Sequence, residues 1–165
     1  MIVRAATGGD AAGMAALQNA LVTAGRRAKA TDQPTVSRLY LDHCDLLGCA
    51  LADDGGTVLG FQALLSAEPG NPYDTPAGWG IVGTHVHPDV IGTGIGRKLF
   101  DHTRRTAQAA GLPCLEAYIG ADNDGARAYY HAMGFRTWRR PVNIDAKAMP
   151  LADGVDLTPP PDETP

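Results

Sequence analysis

The sequence predicts a single domain of the α/β (α+β) class. The chain has 165 residues, a length typical of one domain and sufficient to bury a hydrophobic core. Its 44% apolar and 19% charged residues match ordinary globular proteins rather than disordered chains. Short apolar runs of the strand type alternate with amphipathic helical segments, in the order βααβββαβαβ. We therefore expect one domain over residues 1–150, followed by a proline-rich acidic tail over residues 151–165.

The first half of the chain is predicted to form three strands and two helices. A short apolar run opens it, and Asp10 is a candidate N-cap for the helix that follows. A second cap-like start places Pro34 in the first turn of a short helix. Two apolar runs joined by Asp53-Asp54-Gly55-Gly56 are typical of a hairpin. The predicted elements are a strand at 2–6, a helix at 11–24, a short helix from about 33 to 43, and strands at 46–52 and 57–65.

The second half begins with a segment, residues 68–78, whose three prolines and two glycines predict a loop. An apolar strand ended by Pro88 follows, and Gly134 is a predicted helix stop. Prolines exclude a ladder or a helix beyond about residue 151, so the tail is expected to be extended or mobile. The predicted elements are strands at 79–87, 113–119 and 135–138, a helix at 124–133, and an earlier helix whose apolar face holds Ile95, Leu99, Thr103, Thr106 and Ala110.

The charge and hydropathy of the chain exclude several classes of function. The net charge of −4 and the pI near 5.6 give no field that would attract nucleic acid or an anionic membrane. No apolar run is long enough to span a bilayer and no signal-peptide pattern is found, so a cytoplasmic location is expected. The three cysteines, Cys44, Cys49 and Cys114, form no C-x-x-C pair. We interpret them as buried thiols, with a nucleophilic role for Cys44 or Cys114 as the alternative.

The strongest chemical signal is a glycine-rich segment, residues 86–98, between a strand and a helix. Closely spaced glycines let the backbone approach a ligand, and the free N–H groups of a helix start favour an anion. Arg97 and Lys98 are unfavourable at the positive end of a helix dipole unless an anion binds there. The G-x-G-x-G spacing that starts at Gly92 matches neither a P-loop nor a dinucleotide fingerprint. The segment favours a pyrophosphate site, and a flexible turn is the alternative.

This segment resembles the pyrophosphate loop of the GNAT superfamily of CoA-dependent N-acetyltransferases, Gln/Arg-x-x-Gly-x-Gly/Ala preceded by Val-x-Pro. Gly94 and Gly96 occupy its glycine positions, and Val86 and Pro88 precede it. Ile91 stands where the family usually has Gln or Arg.

A second family signature, Asn-x-x-Ala-x-x-Phe/Leu/Tyr-Tyr-x-x-x-Gly-Phe, is similar to residues 123–135. The resemblance extends from Ile2 to Trp138 and faintly favours the amino-acid and phosphinothricin acetyltransferase branch. It implies a mixed, mostly antiparallel sheet flanked by about four helices and splayed open at the strand ending near Val86. Acetyl-CoA would lie in the gap as the acyl donor, and no metal is expected.

The resemblance also implies the residues that bind the donor. The backbone of Thr84 and Val86 would pair with the acyl carbonyl and the pantetheine arm, which Asn123 would steady. Tyr130 would lie near the sulfur. The candidate pyrophosphate residues are Ile91, Gly92, Thr93, Gly94, Ile95, Gly96, Arg97 and Lys98.

Acyl transfer needs an acid for the leaving thiolate and a path for the proton of the amine. The resemblance implies that Tyr130 is the acid. From helical periodicity alone, the alternative is that Tyr130 is an aromatic residue of the core. Gly80 stands where many relatives carry a glutamate, so the candidate bases are His85, His87 and Glu116, and a water chain is the alternative. His85 and His87 share one face of a strand, which makes a metal site conceivable, but no third ligand has suitable spacing.

The function predicted from these residues is transfer of an acetyl group from acetyl-CoA to a primary amine, of a small molecule or an amino acid. A protein lysine or N-terminal acetyltransferase and a non-catalytic acyl-CoA-binding module are the alternatives. The partners expected are acetyl-CoA and the amine, without nucleic acid or membrane. Because many members of the family dimerise, a homodimer also stays open.

Overall fold

The computed structural model describes residues 1–159 and 161. In this part of the chain, seven strands form one sheet that is flanked by four α-helices. The strands are β1 (Ile2–Ala5), β2 (Leu46–Asp54), β3 (Thr57–Ser66), β4 (Gly80–Val86), β5 (Cys114–Gly120), β6 (Arg136–Arg139) and β7 (Ile144–Pro150). The helices are α1 (Ala11–Thr23), α2 (Gln33–Val36), which continues as a π-helical turn over Ser37–Leu41, α3 (Ile95–Ala109) and α4 (Asp124–Met133). The predicted α/β class is confirmed.

The sheet has the strand order β1-β2-β3-β4-β5-β7-β6. All neighbouring strands are antiparallel except β4 and β5, which run parallel. These two strands pair only at Gly80 with Leu115 and at Ile81 with Glu116. They then diverge, so the sheet is splayed along the part of β4 that ends at Val86, as predicted.

The helices divide between the two faces of the sheet. Phe61 of β3 and Leu51 of β2 pack with α1 and α2 on one face. The neighbouring Ala50 and Ala52 point the other way, because side chains alternate along a strand, and pack with Leu99 of α3. Helix α4 joins α3 on that second face, where Tyr130 packs with Phe100. The two faces of β4 are therefore lined by different elements, which defines the site described below.

Several local signals act as predicted. Asp32 caps α2 by accepting a hydrogen bond from the backbone N–H of Thr35 at 2.9 Å. Gly134 ends α4 in the left-handed conformation, with φ of 108°. Strands β2 and β3 form the expected hairpin around Gly55 and Gly56. Asp10 differs, because its carboxylate does not cap α1 but accepts hydrogen bonds from Arg4 and from the backbone of Thr7.

Strand β7 was not predicted, although it lies inside the sheet between β5 and β6. Asp145 and Lys147 interrupt its apolar pattern, so the sequence does not resemble an interior strand. Both side chains are nevertheless buried and lie 3.4 Å apart, and Arg127 Nε donates to Asp145 at 2.9 Å. Mutual neutralisation allows these charges inside the sheet, a compensation that hydrophobic periodicity cannot reveal.

Two other expectations need correction. The buried face of α3 contains Phe100 and Ala107 rather than Thr106 and Ala110, because the helix contacts the sheet along a slightly rotated stripe. Cys44, expected to be a buried thiol, is exposed because it lies in the turn before β2, whereas Cys49 and Cys114 are buried as predicted. Burial raises the pKa of each of these two thiols to about 12.

The predicted tail is described up to Pro159 and at residue 161. Residues 151–159 form neither helix nor strand, and Val155 and Leu157 pack against the cluster that contains Trp79. Residues 160 and 162–165 of the predicted tail lie outside the described residues, and the division at residue 150 stays a prediction. Among the described helices, none combines the length and apolarity required to cross a bilayer.

Candidate active site

The gap between β4 and β5 exposes backbone groups of β4. The carbonyl of Val82 faces this gap, since it accepts a hydrogen bond from the hydroxyl of Tyr130 at 3.3 Å. Successive residues of a strand direct their backbone groups to opposite edges, so Thr84 and Val86 present theirs to the same side as Val82. The carbonyl of His85 instead lies beside Gly60 of β3. Within the described residues, no strand pairs with this edge beyond Ile81, so these groups are available to a ligand.

The glycine-rich loop leads from a short turn at Pro88–Val90 into α3. Gly94 is the N-cap of the helix and has φ of 89°, a left-handed conformation that glycine adopts at the lowest cost. The N–H groups from Ile95 to Arg97 belong to the first turn, where a helix supplies no acceptors. Thr93 is engaged within the loop, because its hydroxyl and its N–H both donate to the carbonyl of Val90, at 2.6 and 3.3 Å. The start of α3 thus offers a set of free donors at the positive end of its dipole.

Gly96 is also needed for the packing of α4 against α3. A Cβ at this position would lie 2.6 Å from the ring of Tyr129, and the Tyr129 hydroxyl donates to the carbonyl of Gly96 at 2.8 Å. The absence of a side chain therefore allows α4 to pack directly against the first turn of α3. The two sequence signatures meet at this contact, which holds the loop against the helix that carries Tyr130.

A cleft of about 350 Å³ lies between the loop, the open edge of β4 and the start of α4. We call it the donor cleft. The structure brings into its lining eight of the predicted residues: Thr84, His85, Val86, Ile91, Gly92, Gly96, Asn123 and Tyr130. The other predicted loop residues, Thr93, Gly94, Ile95, Arg97 and Lys98, do not line it, and His87 and Glu116 lie elsewhere.

Among the lining residues that the sequence analysis missed, two are charged, Arg26 and Arg27. They follow α1, which ends with Gly25 at φ of 69° and a hydrogen bond from the N–H of Arg26 to the carbonyl of Leu21. This helix end directs the chain over the cleft, where Arg26 comes close to Gly125 at the start of α4. The signal available beforehand was a Gly-Arg-Arg step after a helix, which also fits an ordinary solvated loop.

A chain of hydroxyl and amide groups connects β3, β4 and α4 on the floor of the donor cleft. The side-chain amide of Gln62 donates to the Thr84 hydroxyl at 2.7 Å and to the Tyr129 hydroxyl at 3.1 Å. The hydroxyls of Thr84 and Tyr130 lie 2.6 Å apart. Burial is the main reason that the pKa of Tyr129 is raised to about 12 and that of Tyr130 well above its usual range. Both phenols are therefore protonated at neutral pH.

Asn123 and Ile91 lie at the sides of the donor cleft. The side-chain oxygen of Asn123 caps α4 by accepting from the N–H of Ala126 at 3.1 Å. Its amide nitrogen makes no hydrogen bond within the described residues, so it can donate to a ligand. Ile91 is 46% exposed and contributes an apolar edge in place of the usual Gln or Arg.

His85 lies at the boundary between the two faces of the sheet. Its ring packs against Phe61 with centroids 4.7 Å apart, and its Nε2 is 3.3 Å from the amide nitrogen of Gln18. In the tautomer that carries its proton on Nδ1, Nε2 accepts a hydrogen bond from this nitrogen. Burial first, and the charge of Arg27 second, lower the pKa of His85 to about 4. His85 is therefore neutral at physiological pH.

Neither of the other candidate bases reaches the donor cleft. His87 accepts from the N–H of Asp89 at 3.3 Å and so caps the turn at Pro88–Val90. With His85 on β4 and His87 in this turn, the two do not belong to any cluster of three possible metal ligands among the described residues. Glu116 is fully buried and accepts from Arg139, Trp138 and Thr75. Its lone pairs are used inside the protein, so a role as base does not fit its surroundings.

Gly80 cannot be replaced by a larger residue without rearrangement. A Cβ there would lie 2.6 to 2.9 Å from the side chains of Leu115, Leu112 and Leu64. The space around Gly80 is thus filled with leucine side chains, and a glutamate would not fit there unless they moved.

A second cleft, of about 340 Å³, lies on the other face of β4 and also reaches His85. We call it the acceptor cleft. The predicted loop at 68–78 contributes Asn71, Pro72 and Tyr73 to its wall. The Glu116–Arg139 pair holds this loop, because Arg139 Nη2 donates to the carbonyl of Tyr73 at 2.7 Å and Thr75 donates to Glu116 at 2.7 Å. The Arg139 side chain, which is 9% exposed, is accordingly used inside the protein.

Comparisons with known proteins agree with this geometry. The family model described as "Acetyltransferase (GNAT) family" matches residues 14–135. A mycothiol acetyltransferase from Arthrobacter sp. (strain FB24) is 31% identical over 118 residues, which cover 71% of this chain and 36% of that protein. The chain thus spans only about a third of the length of this curated relative.

Two solved structures share the fold at low sequence identity. A GCN5-related N-acetyltransferase from Kribbella flavida has a TM-score of 0.73 and 21% identity, covering 91% of this chain and 97% of that one. The PaiA N-acetyltransferase from Thermoplasma acidophilum, in complex with coenzyme A, has a TM-score of 0.72 and 13% identity, with coverages of 90% and 98%. The match of the family model to most of the chain, on a sheet splayed at β4, shows that this chain belongs to the acetyltransferase (GNAT) family.

Proposed function

We propose that this chain transfers an acetyl group from acetyl-CoA directly to a primary amine of a small molecule. The observation that carries the proposal is that one cleft is lined both by Gly96, in the first turn of α3, and by Tyr130, whose hydroxyl is buried. The names of the relatives support acetyl transfer, and the Thermoplasma acidophilum structure of the same fold was solved with coenzyme A. The residue roles below are part of the proposal.

The donor is held through its phosphates and its peptide-like arm. The N–H groups at the start of α3 suit the pyrophosphate, since anions bind at the positive end of a helix dipole. Arg26 and Arg27, across the cleft, place two positive charges beside the phosphates, although the net charge of the chain is −4. The open edge of β4 at Thr84 and Val86 pairs with the amides of pantetheine as a further strand would, and the Asn123 amide nitrogen donates to the same arm.

The chemical step forms a bond between the amine nitrogen and the thioester carbonyl carbon and breaks the bond between carbon and sulfur. Negative charge grows on the carbonyl oxygen, and backbone N–H groups of β4 in the gap are available to stabilise it. The departing thiolate takes a proton from the Tyr130 hydroxyl. The Thr84 hydroxyl, which accepts from the Gln62 amide, orients that group and supports the phenolate until it regains a proton.

The amine reacts in its uncharged form. With a pKa of about 4, His85 is too weak a base to deprotonate an alkylammonium, whose pKa is about 10. The ammonium proton therefore leaves to water before attack, and the last amine proton follows the same route. The neutral ring of His85 does not repel the amine and contributes a wall between the two clefts. His87 and Glu116 take no part in proton transfer under this proposal.

The test is calorimetric titration of acetyl-CoA into the wild type, Gly94→Glu and Gly111→Glu. Both glycines have positive φ and open space around a Cβ, at opposite ends of α3, so the two variants carry similar backbone strain. We expect micromolar binding by the wild type, a loss of at least about tenfold in Gly94→Glu, and little change in Gly111→Glu. Absence of binding by the folded wild type, or equal loss in both variants, would refute the proposal.

A further inference from the structure

We infer that the acceptor is a primary amine whose body carries no anionic group and presents a flat, weakly polar ring face. The inference rests on the proposed function and specifies its second substrate. It follows from the shape, the aromatic walls and the charge of the acceptor cleft.

The first step is the position of the cleft relative to the donor. Gly83 and His85 line it from β4, and His85 also lines the donor cleft. A Cβ at Gly83 would meet no atom within 4 Å, so the missing side chain leaves an opening directly over the strand. An amine in the acceptor cleft can therefore approach the β4 backbone at Gly83, beside His85, which lines both clefts.

The second step is the nature of the walls. Three tyrosines, Tyr40, Tyr73 and Tyr118, line the cleft together with His85. Tyr40 stands edge-on to His85 with centroids 5.5 Å apart, and Tyr73 is tilted against Tyr118 at 5.2 Å. Fixed aromatic rings favour a ligand with a flat face, such as an aryl ring or the apolar face of a sugar, and they also attract cations.

The third step is the charge. Asp45 supplies the one carboxylate of the lining, and none of the described residues that line the cleft is lysine or arginine. Arg139 lies 5.6 Å from the centre of the Tyr118 ring, but its guanidinium is bound to Glu116 and to the carbonyl of Tyr73. A carboxylate or phosphate on the acceptor would thus be desolvated without a lysine or arginine to pair with and would face Asp45, whereas an ammonium entering the cleft is attracted.

The fourth step is the rigidity of the roof. The Asn71 side chain bridges its own loop, donating to the carbonyls of Glu68 and Thr75 at 2.8 Å and accepting from the N–H of Tyr73 at 3.1 Å. The Glu116–Arg139 pair fixes the same loop from below. A cleft of about 340 Å³ under a fixed roof suits a small molecule better than a peptide.

The experiment compares matched amines that differ in charge, by following CoA release at saturating acetyl-CoA. The first set is tyramine, tyrosinamide and tyrosine, in which tyrosinamide keeps the bulk of tyrosine without its carboxylate. The second is glucosamine and glucosamine 6-phosphate, which distinguishes a sugar ring from an aryl ring. In the set that the protein prefers, we expect kcat/KM to be at least about tenfold higher for the amine without an anionic group than for the amine that carries one. Tyrosinamide should give a kcat/KM close to that of tyramine.

A charge reversal tests the cause of this selectivity. The side chain of Asp45 is one-third exposed, and its carboxylate lies 4.0 Å from the ring of His43. Because this contact is long and partly exposed, the Asp45→Lys variant should fold normally. It should lower the preference for tyramine over tyrosine at least about fivefold, and Asp45→Asn should lower it less. Affinity for acetyl-CoA should not change, because Asp45 does not line the donor cleft.

The outcomes separate the inference from the proposed function. Equal or better turnover of the anionic amines would overturn the inference and leave acetyl transfer standing. Binding of acetyl-CoA without acetylation of any amine in the two sets would also overturn it. Failure to bind acetyl-CoA would instead refute the proposed function.

Discussion

The hydroxyl groups of Tyr130 and Thr84 lie 2.6 Å apart, beside the edge of β4 that none of the described strands covers beyond Ile81. Tyr130 Oη also donates to the carbonyl of Val82. The phenol is thus held at one position in the donor cleft by two groups of the same strand, and burial keeps it protonated. This arrangement leads to the first prediction.

Tyr130→Phe should lower kcat for amine acetylation by about 10²–10⁴-fold, because the thiolate loses its proton donor. Affinity for acetyl-CoA should change little, since the ring still packs against Phe135. The matched control is Tyr129→Phe, which removes the neighbouring hydroxyl that bonds Gly96. Steady-state kinetics and calorimetry on both variants provide the measurement. An equal fall in kcat for the two variants would show that the Tyr130 hydroxyl has no special role.

Gly80→Ala should lower the free energy of unfolding by about 1–3 kcal/mol, because its methyl group would overlap three leucine side chains. Gly83→Ala, three residues later on β4, should change stability by less than about 0.5 kcal/mol, since its Cβ meets open space. Urea unfolding at neutral pH compares the two. Similar losses of unfolding free energy in the two variants would mean that the leucine side chains around Gly80 leave room for a larger residue there.

Arg26→Gln and Arg27→Gln should each weaken acetyl-CoA binding about two- to fivefold, because each removes a positive charge from the donor cleft. The loss should shrink at high salt as the remaining charges are screened. Arg104→Gln is the control, since Arg104 is exposed on α3 and does not line the cleft. Calorimetry at low and high salt tests this, and unchanged affinity in both cleft variants would exclude a role in donor binding.

Acidification should destabilise the wild type more than His85→Gln between about pH 6.5 and pH 4. The folded-state pKa of His85 is about 4, below the unfolded value of 6.5, so the unfolded chain binds more protons in this window. Stability is therefore lost as the pH falls from 6.5 towards 4. The pKa difference corresponds to about 3 kcal/mol, and partial exposure of the ring reduces the expected loss to about 2 kcal/mol. Urea unfolding of both proteins at pH 7 and pH 4.5 measures this loss. If the His85 imidazole had the same pKa in the folded and unfolded protein, acidification would destabilise the wild type and His85→Gln equally.

Most of the fold could be predicted from local signals. The caps at Asp32 and Gly134 and the hairpin at Gly55 set element boundaries through backbone geometry, which short sequence patterns report directly. Strand β7 could not be recognised, because the charges of Asp145 and Lys147 are compensated by residues distant in sequence. Periodicity measures hydrophobicity along the chain and contains no information on such pairing.

Some residues of the candidate site could likewise be predicted from the sequence, and others could not. The loop at Gly94 and the position of Tyr130 follow from contiguous motifs, and the structure brings both to one side of β4. The surroundings of Glu116 and the approach of Arg26 to the cleft depend on tertiary contacts between distant segments. A glutamate flanked by apolar residues has one local sequence pattern, whether it is a catalytic carboxylate in a cleft or one member of a buried ion pair.

The interior position of β7 has a consequence for the order of folding during synthesis. Strands β1 to β4 pair in sequence order and can form a meander as they leave the ribosome. Strand β5 pairs with β4 at only two positions, and both β5 and β6 obtain their main partner only after residue 150 has been added. The gap between β4 and β5 is thus expected to lie at the boundary between an early-folding half and a late-folding half. Nascent chains should retain an incomplete donor cleft until that last strand is inserted.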